Sequence, residues 1–149
     1  MRKSGRLWLF TPLALAGLID IVLTLVGQSP EYWAGDYSMT QEGNPFAEPL
    51  LAWNPWLFAS AGILWLSALG TMVYLWKHRI AFIIAMIAFA GHTFGGAAWM
   101  LYLPPNGWIA ATVYLLLMIG LWKWCASRAN ETNSIASEYR RQRNHEPRQ

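Results

Sequence analysis

Asp20 and His92 are chemically out of keeping with their neighbours: each stands inside a long apolar stretch. A carboxylate and an imidazole that meet in a low-dielectric interior support three kinds of chemistry. They form a hydrogen bond or ion pair that fixes helix register, they ligate a divalent metal or activate water, or they take up and release protons. Thr24 lies one helical turn beyond Asp20, and Glu42, Asn44 and Glu48 follow in a polar stretch, so Asp20, Thr24, Glu42, Asn44, Glu48 and His92 make up the candidate polar cluster. Within it Asp20, Glu42 and His92 are the candidate metal ligands, and Asp20 and His92 the candidate catalytic pair. No GxSxG, HExxH, Walker loop or Cys-x-x-Cys is present. One histidine inside an apolar stretch is too few for the two axial ligands of a membrane haem, and no nucleotide-binding loop occurs, which leaves a divalent metal as the one cofactor to test. The single Cys125 gives no disulfide framework and no cysteine metal motif.

What positions these residues is dictated by the solvent. The chain has 149 residues, 55% of them apolar and 13% charged, whereas a soluble domain carries roughly a quarter charged residues. Four stretches, at about 7–27, 55–76, 80–103 and 106–125, are long enough to cross roughly 30 Å of hydrocarbon as helices. The predicted fold is all-α: a polytopic membrane protein of four transmembrane helices in an antiparallel bundle, occupying residues 1–126. The outer loop, residues 28–54, contains two proline helix starts, Asn44-Pro45 and Asn54-Pro55, so a short outer-face helix over about 44–53 precedes the second span. Residues 127–149 hold five Arg, three Glu and few apolar side chains, and are expected to be a disordered basic tail.

Charge sets the threading. All eleven Lys and Arg lie at Arg2, Lys3 and Arg6, at Lys77 and Arg79, or from Lys123 onward. The positive-inside pattern therefore predicts an integral protein of a prokaryotic cytoplasmic membrane with both termini and the Lys77-His78-Arg79 hairpin cytoplasmic. A secretory signal is the competing account of the first apolar run, but that run is long, contains Asp20 and lacks a small-x-small cleavage site. Most of the ten Trp fall at the predicted membrane boundaries, which reads as interfacial anchoring rather than as an aromatic cage. The net charge of +3 is topological rather than a groove-lining patch, so no nucleic-acid partner is expected. The expected partners are the lipid bilayer, anionic lipid at Arg140-Arg141-Gln142-Arg143, and a membrane-protein partner or a second copy of the chain.

Asp20 lies fourteen residues past Arg6 and His92 thirteen past Arg79, so both sit roughly 20 Å in along helices entering from the same side. Ala16, Asp20 and Thr24 share one helical stripe; Ala88, His92, Gly95 or Gly96, and Trp99 share another, and Gly91 to Gly95 is a GxxxG sequence. Ser60, Ser67 and Thr71 on the second span, and Thr112 and Tyr114 on the fourth, are candidates to face the pair. Asp20-x-x-x-Thr24 in the first span, Glu42-x-Asn44-Pro45 before the second and Gly91-His92 in the third resemble a family of small uncharacterised prokaryotic membrane proteins with four predicted helices. The resemblance covers about residues 7–125 and implies that Asp20, Thr24, Glu42, Asn44 and His92 converge; it implies no activity. The leading functional reading is a non-enzymatic accessory or interaction component whose buried Asp-His pair maintains register. The alternative is an intramembrane metal-dependent enzyme or hydrolase using Asp20 and His92 with Glu42 or Glu48, and the third is an ion or proton transport subunit.

Overall fold

The computed structural model describes residues 3–76 and 78–145, with side chains for 5–76, 79–132 and 134. Among these residues all regular structure is helical: α1 (Lys3–Val26), α2 (Pro30–Trp33), a 3-10 turn (Tyr37–Met39), α3 (Glu48–Trp53), α4 (Pro55–Leu75), α5 (His78–Leu101) and α6 (Gly107–His145). Four helical stretches are long and apolar enough to cross a membrane, namely Gly5–Val26, Pro55–Leu75, Arg79–Leu101 and Gly107–Thr132. This is the helical, four-span architecture of an integral membrane protein. Helix parity puts the starts of α1 and α5 and the end of α4 at one end of the bundle, called here the terminal end. The 28–54 segment and the α5–α6 turn lie at the other, the loop end.

α1 and α5 both touch each other and both touch α4 and α6, while α4 and α6 do not meet among the described residues. The bundle is a rhombus in cross-section with the parallel pair α1 and α5 on its short diagonal. That diagonal is short because its contact faces are small: Ala16 on α1 and Ala81, Ala85 and Ala97 on α5 are all buried. In lipid, where apolar surface gains little by leaving its solvent, close backbone approach of this kind is the main source of helix association. Leu9 and Leu13 on α1, Phe89 on α5, and Met118 and Tyr114 on α6 fill the remaining core. Trp122 stacks on Phe89 at 4.9 Å between ring centres, and Trp8 meets Trp124 edge-on at 5.2 Å at the terminal end.

The helix starts follow local chemistry. Asn54 caps α4, its Oδ1 accepting from the N–H groups of Trp56 at 2.8 Å and Leu57 at 3.4 Å, with Pro55 in the first turn. Asn44-Pro45 behaves differently, and the expected helix over 44–53 is corrected to Glu48–Trp53. Asn44 Oδ1 accepts from Phe46 N–H at 3.0 Å and its carbonyl accepts from Ala47 and Glu48, which closes a separate turn; Pro49 then supports the first turn of α3. Gly107 is required where α6 turns back on α5, because a Cβ there would stand 2.4 Å from the Met100 carbonyl oxygen.

The tail is a second correction. Instead of disorder from residue 127, α6 continues to His145. Extending an existing helix needs no new nucleation, and residues 127–145 contain neither Gly nor Pro. Arg128 pairs with Glu131 at 3.0 Å one turn along, and Ala129 is buried against the bundle. The Arg140 to Arg143 cluster expected to meet anionic lipid lies outside the described side chains.

Candidate functional site

The first-span stripe Leu9, Leu13, Ala16, Asp20 and Thr24 faces the interior, and Asp20 is where that stripe turns polar. On α5 the stripe Ala81, Ala85, Phe89 and His92 runs parallel to it, so the two residues arrive at the same height. His92 Nδ1 and Asp20 Oδ2 are 2.9 Å apart, with 20% and 21% of the two side chains exposed. When Asp20 is ionised its carboxylate has only acceptors, and Nδ1 then carries the hydrogen that it accepts.

Gly95, one turn beyond His92, makes the approach possible. A Cβ on Gly95 would stand 2.5 Å from Asp20 Oδ1, so the carboxylate occupies the space a side chain would take. The next residue, Gly96, does the same for α6: its missing Cβ would lie 3.0 Å from the Tyr114 hydroxyl. Gly91, the other half of the GxxxG sequence, faces open space, so Gly95 and Gly96 form the close contacts instead.

Two hydroxyls lie beside the pair. Thr93 and Tyr114 are 5% and 6% exposed, and among the described residues each hydroxyl has at most the other as a partner. Tyr114 stands next to Thr93 and within the field of the Asp20 carboxylate. The other hydroxyls considered turn away. Ser67, Thr71 and Thr112 are exposed and donate back to the carbonyls of Ile63, Ser67 and Trp108, and Ser60 is exposed.

Glu42 approaches from the loop. Its carboxylate accepts from Asn44 N–H at 2.8 Å and is partly buried. Burial raises its affinity for a proton, and the charges of Asp20 and Glu48 raise it further against the backbone hydrogen bonds at Asn44 and Gly43. Glu48 is exposed at the start of α3. Thr24 is buried, and Asn44 shapes the turn that carries Glu42 rather than pointing a donor at the pair.

Gln28 completes the assembly and stands outside the sequence-derived cluster. Its Nε2 donates to the carbonyls of Thr24 at 2.8 Å and Gln41 at 2.9 Å, while its Oε1 accepts from Gln41 N–H at 2.8 Å. One buried amide thereby fastens the residue before Glu42 to the last turn of α1. The signal was in the spacing, since Asp20, Thr24 and Gln28 fall at i, i+4 and i+8. Tyr32 secures the other side of the loop by donating its hydroxyl to the Leu51 carbonyl at 3.0 Å.

Among the described residues no three His, Cys, Asp or Glu side chains gather closely enough to hold a metal ion. The arrangement brings Asp20 and His92 into contact and Glu42 into electrostatic range, and it does not place the three in one ligand sphere. Two grooves among the described residues lie elsewhere, along α1–α4 and at the terminal end of α1, α5 and α6. No family model matches the chain, and no curated protein and no solved structure matches it.

Proposed function

We propose that this membrane protein is a non-enzymatic accessory or interaction component in which the Asp20-His92 pair locks α1 to α5. The observation that carries the reading is the 2.9 Å contact on the short diagonal of the bundle, between the two helices that touch every other span. A carboxylate costs on the order of 3 kcal/mol inside a membrane, and a donor held at hydrogen-bond distance offsets part of that cost. Toward the terminal end the same core continues through Ala16, Leu13, Ala85, Phe89 and Met118, none of which can carry a proton or ligate a hard cation. That apolar floor favours a lock over a transport path, and the lack of a third ligand among the described residues favours it over a metalloenzyme. The reading places the protein in a prokaryotic cytoplasmic membrane with its termini inside.

Asp20→Asn, His92→Gln and the double variant, purified in detergent, test it. Each single change is expected to lower thermal stability by about 1 to 3 kcal/mol, and the double change by less than the sum, because both singles break one contact. Additive losses, or stoichiometric metal in the wild type that disappears from either variant, would overturn it.

A further inference from the structure

Residues 44–53 form a short amphipathic element of which α3 is the last part. The Asn44 carbonyl accepts from Ala47 and Glu48, and the Ala47 carbonyl from Leu50 and Leu51, so the turn before α3 winds in the helical sense. Phe46, Pro49 and Trp53 then fall at i, i+3 and i+7, along one side of it. That side is bare: Phe46 is 85% and Trp53 77% exposed, and Pro49 is exposed as well. The opposite side is occupied, since Leu51 is buried and Ala47 and Leu50 pack against the core.

The place of this element in the fold indicates what covers the bare side. Among the described elements α3 has close backbone neighbours only in α4 and the 3-10 turn. It therefore overhangs the α4 corner of the rhombus instead of capping its centre. Chain connectivity also holds Trp53 near the first turn of α4, because only Asn54 and Pro55 separate it from Trp56. Trp56 and Trp108, each the second residue of its span, are exposed on α4 and α6, the two helices that do not meet, and Tyr102 is exposed just past the end of α5. Exposed aromatic residues on separate corners at the same end form a ring, as an interfacial belt does, whereas a protein partner is met by a contiguous patch on one face.

We propose that residues 45–53 are an interfacial anchor lying along the loop-side leaflet of the membrane that the chain itself crosses, with Phe46 and Trp53 at the boundary between headgroups and acyl chains. Glu48 is exposed and stands off the apolar stripe, so its carboxylate stays among headgroups and water. The anchor gives the loop a second attachment. Gln28 holds Gln41 on one side of Glu42, and on the other Glu42 accepts from the N–H of Asn44, where the anchor begins.

Depth-dependent fluorescence quenching of full-length protein in phosphatidylcholine vesicles decides the matter. In a Cys125→Ala parent, single cysteines are introduced by Phe46→Cys, Trp53→Cys or Leu64→Cys, all at exposed positions, and labelled with a polarity-sensitive fluorophore. The vesicles contain lipid carrying a nitroxide either near the glycerol or near the end of an acyl chain. Labels at 46 and 53 are expected to be quenched severalfold more by the shallow nitroxide than by the deep one, and the label at 64, midway along α4, to show the reverse. A label at 46 or 53 that neither nitroxide quenches overturns the proposal: water-like emission then means that the stripe faces water, and blue-shifted emission that another protein or a second copy covers it. Deep quenching equal to that at 64 overturns it too, since the segment is then re-entrant. Each position is read singly, so one folded variant suffices.

Discussion

Glu42 binds its proton more tightly in the folded protein than in the unfolded chain, chiefly because burial strips water from the carboxylate, with Asp20 and Glu48 repelling its charge. The folded state therefore holds the extra proton between the ordinary value of 4.5 and the raised one. Stability contributed at this position falls as pH climbs through that window and stays low above it. Glu42→Gln removes the titration and keeps an oxygen for the Asn44 N–H. The variant is expected to melt above the wild type at neutral pH and together with it below about pH 4, in detergent melts across pH. A wild-type advantage at neutral pH would mean that the ionised form is the stabilised one. Gln28→Ala tests the tether beneath Glu42: it should speed proteolysis within residues 36–43 several-fold while the bundle melts within about 2 kcal/mol of wild type. Asp20, Thr24 and His92 were legible because a polar residue inside an apolar run has to be answered for. Gln28 and Thr93 are harder to single out: Gln28 continues the i, i+4, i+8 spacing but falls just past the span, where polarity is ordinary, and a lone threonine satisfies itself on its own helix often enough to raise no question.

Small residues set the spacing of the helices, and their roles differ at adjacent turns. Gly95→Ala would thrust a methyl group to within 2.5 Å of Asp20 Oδ1, so the carboxylate must leave His92 or α5 must withdraw from α1. A loss of about 1 to 3 kcal/mol is expected, not additive with His92→Gln, since both changes break the same contact. Gly91→Ala meets nothing within 4 Å and is expected to be neutral or to gain up to about 1 kcal/mol. Equal losses at the two positions in thermal melts would sink the close-approach account. The element boundaries show what a one-dimensional reading captures. Asn54-Pro55 announced α4 because cap and first turn are both local, whereas the equally local Asn44-Pro45 closed a turn of its own and postponed α3 to Glu48. The spans emerged from hydropathy; which face of α4 points outward did not, because Ser60, Ser67 and Thr71 look alike whether they line a site or satisfy themselves against their own backbone.

At the scale of the molecule, polarity is divided between two ends. The loop end gathers Asp20, Glu31, Asp36, Glu42 and Glu48 with no Lys or Arg in residues 28–54 or 102–106, and the terminal end holds the cations. Four crossings, with helix starts at Lys3 and His78 and the long helix α6 emerging beside them, require the start of α1, the start of α5 and the end of α6 to share a compartment. An Arg at the bilayer centre costs about 2.5 to 3.5 kcal/mol on insertion scales, and on the reading proposed above the cation-rich end is expected on the side from which the chain is inserted. Paired reporters active on opposite faces of the membrane, fused in the bacterial inner membrane after residues 43, 78 and 149, are expected to report 78 and 149 inside and 43 outside. Replacing Lys77 and Arg79 with Gln leaves the even number of crossings intact and is expected to keep residue 149 with the N-terminus, because the termini and the tail still carry the remaining nine cations of the original eleven. Opposite readings at 78 and 149 in the unaltered chain would mean that α6 does not cross, and Tyr114 would then have no reason to lie buried beside Thr93.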